Sequence, residues 1–282
     1  FGTDTIKTFE WYRGYMEKLL DQLIASGVIP VVMAIPPYKK TPLLDSWAHT
    51  LNAMVRGFAE QRQIPFVDFH TPMLSLPGFG LAPDQIHPNI YYPDASSGGC
   101  YFTTKGLEYG FNLRNLLTLE AFDRVRRAMF EPETTLDPTP PPLPDGDGSI
   151  EKPFVIDGFP YSDRRNTALS PHRVLASYSG CNATQDESGP EYVYRFELNR
   201  KTRIRAIVLD GDGGSVDVDL HLLAGAPTEA ACLERNDKTI NAELDSGVYY
   251  LVLDTYVSGG TELPGEYLLV IHRCLDDDDY CL

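Results

Sequence analysis

Apolar residues recur along this chain with two different periods, and the change falls near its middle. Upstream, Phe9, Tyr12, Met16, Leu19 and Leu23 recur at helical spacing, as do Trp47, Leu51, Met54, Val55 and Phe58. Each set predicts a helix with one apolar face. Between them, GVIPVVMAIPP is a continuous apolar run ended by Pro36 and Pro37. It predicts a strand buried on both faces, as in a parallel sheet. IPFVDF, Ile64 to Phe69, predicts a second such strand. A last helix is predicted from about Thr103 to Phe130, with Thr103 or Thr104 as its N-cap. Helices alternating with buried strands define an α/β fold with parallel connections. An open sheet of that type wants about five strands. Only two are readable, so the others are expected upstream of Phe1.

Downstream the period becomes two. YVYRFEL, RIRAIVLD, SVDVDLHLL, GVYYLVLD and GEYLLVIH are short and rich in β-branched and aromatic residues. Turn signals such as DGDGG and VSGGTELPGE separate them. They predict an all-β sandwich of seven or so strands, clearest from Tyr192 to His272. The stretch between the two textures, Glu131 to Ser149, is Pro-rich and without period, and reads as a semi-rigid linker. The expected division is therefore residues 1–130, a linker at 131–149, and residues 150–282.

Acidic residues outnumber basic ones by 40 to 24. That balance argues against nucleic acid as a partner, because a phosphate backbone selects for Lys and Arg. No apolar run approaches the ~20 residues of a transmembrane helix, and no signal peptide is visible. The chain opens on FGTDT, without Met and inside a motif-like stretch, and so reads as a fragment. Of five cysteines, Cys181, Cys232, Cys274 and Cys281 fall in the β half, with no Cys/His metal spacing. Two disulfides are expected there, and with them export to an oxidising compartment. CLDDDDYCL reads as a small disulfide loop. Cys100 is left over, either free or paired with something upstream.

The segment LAPDQIHPN, Leu81 to Asn89, sets Asp84 and His87 three residues apart between Pro83 and Pro88. The prolines exclude a helix or a central strand. A turn has use for Asp but not for His. A catalytic site uses both, the Asp orienting the His and the His accepting a proton from a nucleophile. With SGVIPVVMAIPP, IPFVDFH and TTKGLEYGFNLRNLLTL in this order around it, Asp-x-x-His resembles the last motif of the SGNH (GDSL-type) hydrolase family. The resemblance implies a flavodoxin-like three-layer α/β/α domain, seen here as its C-terminal part. It implies a Ser-His-Asp triad with His87 as general base and Asp84 as its orienter, hydrolysing an ester through an acyl-enzyme. The family's serine sits in a Gly-Asp-Ser motif that is absent from these 282 residues. It is expected upstream of Phe1, with the Gly and Asn oxyanion donors. FGTDT partly resembles one of those motifs, but Asp4 stands where Asn would donate a hydrogen bond, and an ionised carboxylate cannot donate. No lid or apolar channel is legible, which favours a carbohydrate O-acyl ester over a lipid. Two alternatives stay open: a non-catalytic carbohydrate- or surface-binding protein that keeps the hydrolase fold, and an acyltransferase.

Other residues carry weaker signals. His70 is a second candidate base without an Asp partner on a loop, and Asp68 reads as structural. Tyr91, Tyr92 and Tyr101 line a cleft or pack the loop. Ser96 and Ser97 in ASSGG are turn chemistry. Asp210 to Asp219, DGDGGSVDVD, lacks the full EF-hand pattern. A stabilising Ca²⁺ near Asp217 and Asp219 is left open, and no other cofactor is expected. Finally, SGPEYVYRFEL, VDVDLHLL, ACLERNDKTI, LDSGVYYLVLDTY and GEYLLVIH are similar to the bacterial pre-peptidase C-terminal (PPC) family. That resemblance implies an exported accessory domain in which Cys181 pairs with Cys232, leaving Cys274 for Cys281.

Overall fold

The computed structural model describes residues 5–93, 98–131, 145–211, 214–276 and 278–281. They form two units, residues 18–141 and residues 142–282 together with 1–17. Helix α1 (Thr5–Ala25) runs through that division in sequence. Phe9, Arg13 and Leu20 are buried along it, whereas Leu19, expected on the apolar face, is 48% exposed. The stripe is displaced because it includes a charged residue: the Arg13 guanidinium donates to the Leu209 carbonyl. Glu10 beside it accepts from Gly211 N at 3.2 Å.

The α/β unit is built on β1 (Val32–Met33) and β2 (Phe66–Val67), which pair in parallel with Val32 opposite Phe66. Helix α2 (Pro42–Gln61) connects them, with Pro42 in its first turn and Trp47, Met54, Val55 and Phe58 buried, the face read from the sequence. After β2 come α3 (His70–Met73) and α4 (Gly110–Phe130). The last helix begins later than the apolar pattern implied. Residues 106–108 form a 3-10 turn whose Gly106 N–H is capped by Thr103 Oγ1 at 3.1 Å, and extended Tyr109 separates that turn from α4. Among the described residues this sheet has two strands.

The second unit is a β-sandwich. Its strands are β3 (Phe154–Ile156), β4 (Tyr161–Asn166), β5 (Tyr192–Leu198), β6 (Thr202–Leu209), β7 (Val218–Ala224), β8 (Cys232–Asn236), β9 (Thr239–Leu244), β10 (Gly247–Thr255), a short hairpin β11 (Val257–Ser258) and β12 (Thr261–Glu262), and β13 (Glu266–Arg273). One sheet has the order β3-β5-β10-β7-β8 and the other β4-β13-β6-β9. Every pairing is antiparallel except β3 with β5. Alternation does the packing. Tyr194, Phe196, Leu220, Leu222, Leu251 and Leu253 of one sheet meet Ile204, Ala206, Tyr267, Leu269 and Ile271 of the other. No helix among the described residues is long and apolar enough to cross a membrane.

The outer face of the five-stranded sheet is covered too. Leu175 and Tyr178 pack on Val193, Leu223, Val252 and Cys232. Beneath that cover lies a buried polar group. Tyr178 stacks on His221 at 3.5 Å between centroids and donates to Asp254 Oδ2 at 2.5 Å. Arg235 reaches Glu187 at 3.3 Å and also pairs with Asp219. Burial first, then the charges of Glu191 and Glu187, pushes the Asp254 carboxyl well above the carboxylate range. Burial and then Asp219 raise Glu187, against the pull of Arg235. Burial and then Arg235 depress His221.

A carboxyl raised in this way keeps a proton that the unfolded chain gives up. Its contribution to stability is whole below the unfolded pKa of about 4 and is lost as pH rises through the folded value. His221 acts oppositely, but only below its unfolded pKa of about 6.5. Between pH 7 and 9 Glu187, pushed up to about 9, acts without it, so its contribution to the Tm of the sandwich falls with rising pH. Glu187→Gln makes that slope shallower in a thermal melt series. An identical slope in the variant would remove Glu187 from the account.

Candidate functional site

The segment from Gly80 to Asn89 folds back on itself. Leu81 and Pro88 form an isolated antiparallel bridge, Ala82 N donates to His87 O at 2.7 Å, and Asn89 N donates to Gly80 O at 2.8 Å. The prolines that exclude regular structure thus bracket a tight turn, with Gln85 at φ 61° at its tip. Asp84 holds the turn from inside. Its Oδ1 accepts from the N–H groups of Ile86 and His87, both at 3.0 Å. Its Oδ2 lies 2.6 Å from His87 Nδ1. One carboxylate therefore fixes both the backbone that carries the histidine and the ring itself.

These contacts set the electrostatics. The His87 side chain first, and then the two backbone N–H groups, hold the Asp84 carboxyl far below the usual carboxylate range. An ionised Asp84 facing Nδ1 favours the tautomer with hydrogen on Nδ1 and a lone pair on Nε2. The His87 side chain is 76% exposed, so Nε2 can accept a proton from a group brought up from outside.

Other contacts place the turn in the unit. The chain leaving the carboxyl end of β1 delivers Lys39, whose N–H donates to Gln85 O at 3.0 Å. The Lys39 ammonium is fixed by Asp45 of α2 at 2.5 Å. On the other side, Asn89 caps α4: its Oδ1 accepts from Gly110 N at 2.9 Å and its carbonyl from Phe111 N at 2.8 Å. The approach is close enough that a Cβ on Gly110 would come within 2.4 Å of Gly80 O. The turn that bears Asp84 and His87 is thus tied to the connection that follows β1 and to the start of α4. Lys39 and Asn89 were not singled out as positioning groups in the sequence. The signal for Asn89 was its place in the HPN that trails the Asp84–His87 pair.

The remaining candidates fall elsewhere. His70 is buried, its Nδ1 is 2.9 Å from Ile35 O, and burial lowers its pKa, so it holds a carbonyl rather than facing solvent. Asp68 Oδ1 accepts from Thr71 N at 3.0 Å and steadies the first turn of α3. Tyr91 packs against Tyr101 and Tyr109, and its N–H is bound by buried Asn112. Tyr92 is 63% exposed. Asp4, Ser96 and Ser97 lie outside the described residues. Cys100 is an exposed free thiol. A groove of about 450 Å³ between β2 and α4 is lined by Phe66, Leu117 and Val125 among others, and by no residue of the Asp84–His87 turn.

In the sandwich unit the cysteines pair as Cys181–Cys232 and Cys274–Cys281, with Cα separations of 5.2 and 5.8 Å. Asp217, Asp219 and Asp237 bring carboxylate oxygens within 4.8 Å of one another, the set that could hold a divalent cation. Arg235 pairs with Asp219, and Lys238 with Asp237 at 3.0 Å, so part of that charge is already met by side chains. Burial and then Asp219 push Asp217 up to about 6.

The class so defined is a two-unit protein: an α/β unit with an exposed Asp–His pair, and a disulfide-bonded β-sandwich. No family model matches the chain, and no curated protein does. Among solved structures, the chain is similar to the pre-peptidase C-terminal domain of a Bacillus anthracis collagenase: 15% identity, 42% of this chain and 91% of that one, TM-score 0.27. A periplasmic inhibitor of g-type lysozyme from Aeromonas hydrophila matches at 14% identity over 43% of this chain and 96% of that one, TM-score 0.27. A CBM35 module of Abf62 from Cellvibrio japonicus matches at 17% identity over 38% and 91%, TM-score 0.20.

Proposed function

We propose that this chain belongs to an exported ester hydrolase of SGNH type, in which His87 is the general base and Asp84 orients it. The observation that carries the reading is the 2.6 Å contact from Asp84 Oδ2 to Nδ1 of an exposed His87. A turn that needed only Asp84 would be satisfied by the two backbone N–H groups; the second carboxylate oxygen is spent on the ring. The nucleophile is a serine hydroxyl whose proton passes to His87 Nε2 as its oxygen attacks the ester carbonyl. The imidazolium then protonates the leaving alcohol, and water repeats the sequence on the acyl-enzyme. With no Gly-Asp-Ser in these 282 residues, the reading requires that serine from polypeptide beyond them. Two disulfides support an oxidising compartment, and the sandwich is read as an accessory, PPC-like domain.

The test uses the full gene product. Hydrolysis of a short-chain acetate ester is followed for the wild type and for His87→Ala, with circular dichroism to verify folding. Near-complete loss of turnover in a folded His87→Ala protein is expected. Equal turnover in the two would end the reading, and sugar binding without any turnover would replace it with a binding protein that keeps the fold.

A further inference from the structure

The segment entering the Asp84–His87 turn has an unusual backbone. Gly78, Phe79 and Gly80 lie consecutively in the left-handed region, at φ 58°, 57° and 62°. Glycine does this without cost, but a residue with a β-carbon avoids it. Phe79 adopts it, and the result is a large apolar ring left 39% exposed instead of turned into the core. One face of the ring is backed: the Lys39 ammonium lies 4.8 Å from its centroid and is itself held by Asp45 at 2.5 Å. Lys39 is also the residue whose N–H holds Gln85 O, at the tip of the catalytic turn. One residue therefore touches both the exposed ring and the turn that carries His87. Two residues beyond Phe79, Leu81 bridges to Pro88, next to His87.

We propose that Phe79 is the platform on which the pyranose ring of an O-acylated carbohydrate stacks while its ester reaches His87. The inference rests on the hydrolase reading above and names its substrate class. The surroundings decide between a sugar and a fatty acyl chain. An acyl chain asks for a continuous apolar surface, whereas the group against the Phe79 ring is the Lys39 ammonium, itself paired with the Asp45 carboxylate, and the backbone of that same lysine holds the turn that carries Asp84 and His87. A pyranose has one apolar C–H face for an aromatic ring and a rim of hydroxyls for polar neighbours. The backing cation keeps the ring in place, so little side-chain freedom is lost on binding.

The experiment compares methyl β-D-xylopyranoside triacetate with ethyl acetate, which has no ring to stack, using the full gene product. Phe79→Gly removes the ring at a position where glycine relieves the backbone, so loss of folding does not confuse the result. Its kcat/KM for the sugar ester, taken relative to that for ethyl acetate, is expected to fall roughly tenfold, the equivalent of about 1.4 kcal/mol. The fall should reside mainly in KM, and Phe79→Tyr should restore the ratio. A ratio unchanged in Phe79→Gly overturns the platform. If His87→Ala hydrolyses as well as the wild type, the hydrolase reading has failed, and NMR titration with methyl β-D-xylopyranoside then decides the platform separately. Binding lost in Phe79→Gly upholds it; binding retained, or absent from the wild type, overturns it.

Discussion

In the proposed hydrolase, Asp84→Asn is expected to lower kcat for ester hydrolysis by about four orders of magnitude, with the fold intact. The geometry makes this substitution unusually clean. Oδ1 of Asp84 accepts two backbone N–H groups, from Ile86 and His87. In the variant only the amide oxygen can occupy that place, so the NH₂ group must face His87 Nδ1. A donor there favours the tautomer with hydrogen on Nε2, which cannot take a proton from a serine. The turn survives and the base is switched off. The wild-type carboxyl, held below the usual carboxylate range by His87 and those N–H groups, stays ionised in assays from pH 5 upward. The acid side of the rate profile over that range therefore does not report Asp84. The measurement is kcat for wild type and variant from pH 5 to 9, beside their thermal melts. A loss of less than tenfold would show that Asp84 only shapes the turn.

Removing the Cys181–Cys232 disulfide, as the double variant Cys181→Ala/Cys232→Ala, is expected to cost the sandwich about 3–4 kcal/mol. The bond closes a loop of 51 residues, and loop-closure entropy in the unfolded chain grows with that length. It also ties the segment bearing Leu175 and Tyr178 to β8, over the buried polar group. Loss of the tether weakens the cover that keeps His221, Asp254 and Glu187 from water. The Cys274–Cys281 bond spans only 7 residues and should contribute less, about 2 kcal/mol. Guanidinium unfolding of the two double variants gives the comparison. Equal midpoints, or a larger loss from the shorter loop, would contradict the entropic account.

Local rules were sufficient where one physical requirement dominated. The α2 face was legible because Trp47, Met54, Val55 and Phe58 repeat at 3.6 residues and all turn inward. The sandwich was legible because the inward residues of β5, β7 and β10 alternate. The division into two textures followed from the same change of period. Errors arose where a charged or glycine-rich residue overrode the pattern. Leu19 lies outside the inward stripe because Arg13, charged and so absent from the apolar pattern, takes a buried place through its bond to Leu209 O. The last helix starts at Gly110 and not near Thr103, because Thr103 caps a 3-10 turn that extended Tyr109 ends.

For the site, the sequence by itself determined the chemistry on offer: a carboxylate and an imidazole three residues apart in a segment that prolines keep from becoming a helix. Spacing cannot say whether such a pair meets. Only the tertiary structure brought Oδ2 within 2.6 Å of Nδ1, because the backbone of Lys39 from one connection holds the tip of the turn and the helix cap by Asn89 holds its base. The tertiary structure also buried His70, the other candidate, against the Ile35 carbonyl, a partner 35 residues away that no local pattern announces. It left Phe79 exposed by a run of left-handed residues that apolar character alone would have sent inward. Residue type and period follow from near neighbours along the chain, whereas burial, tautomer and exposure are set by groups that only folding brings together.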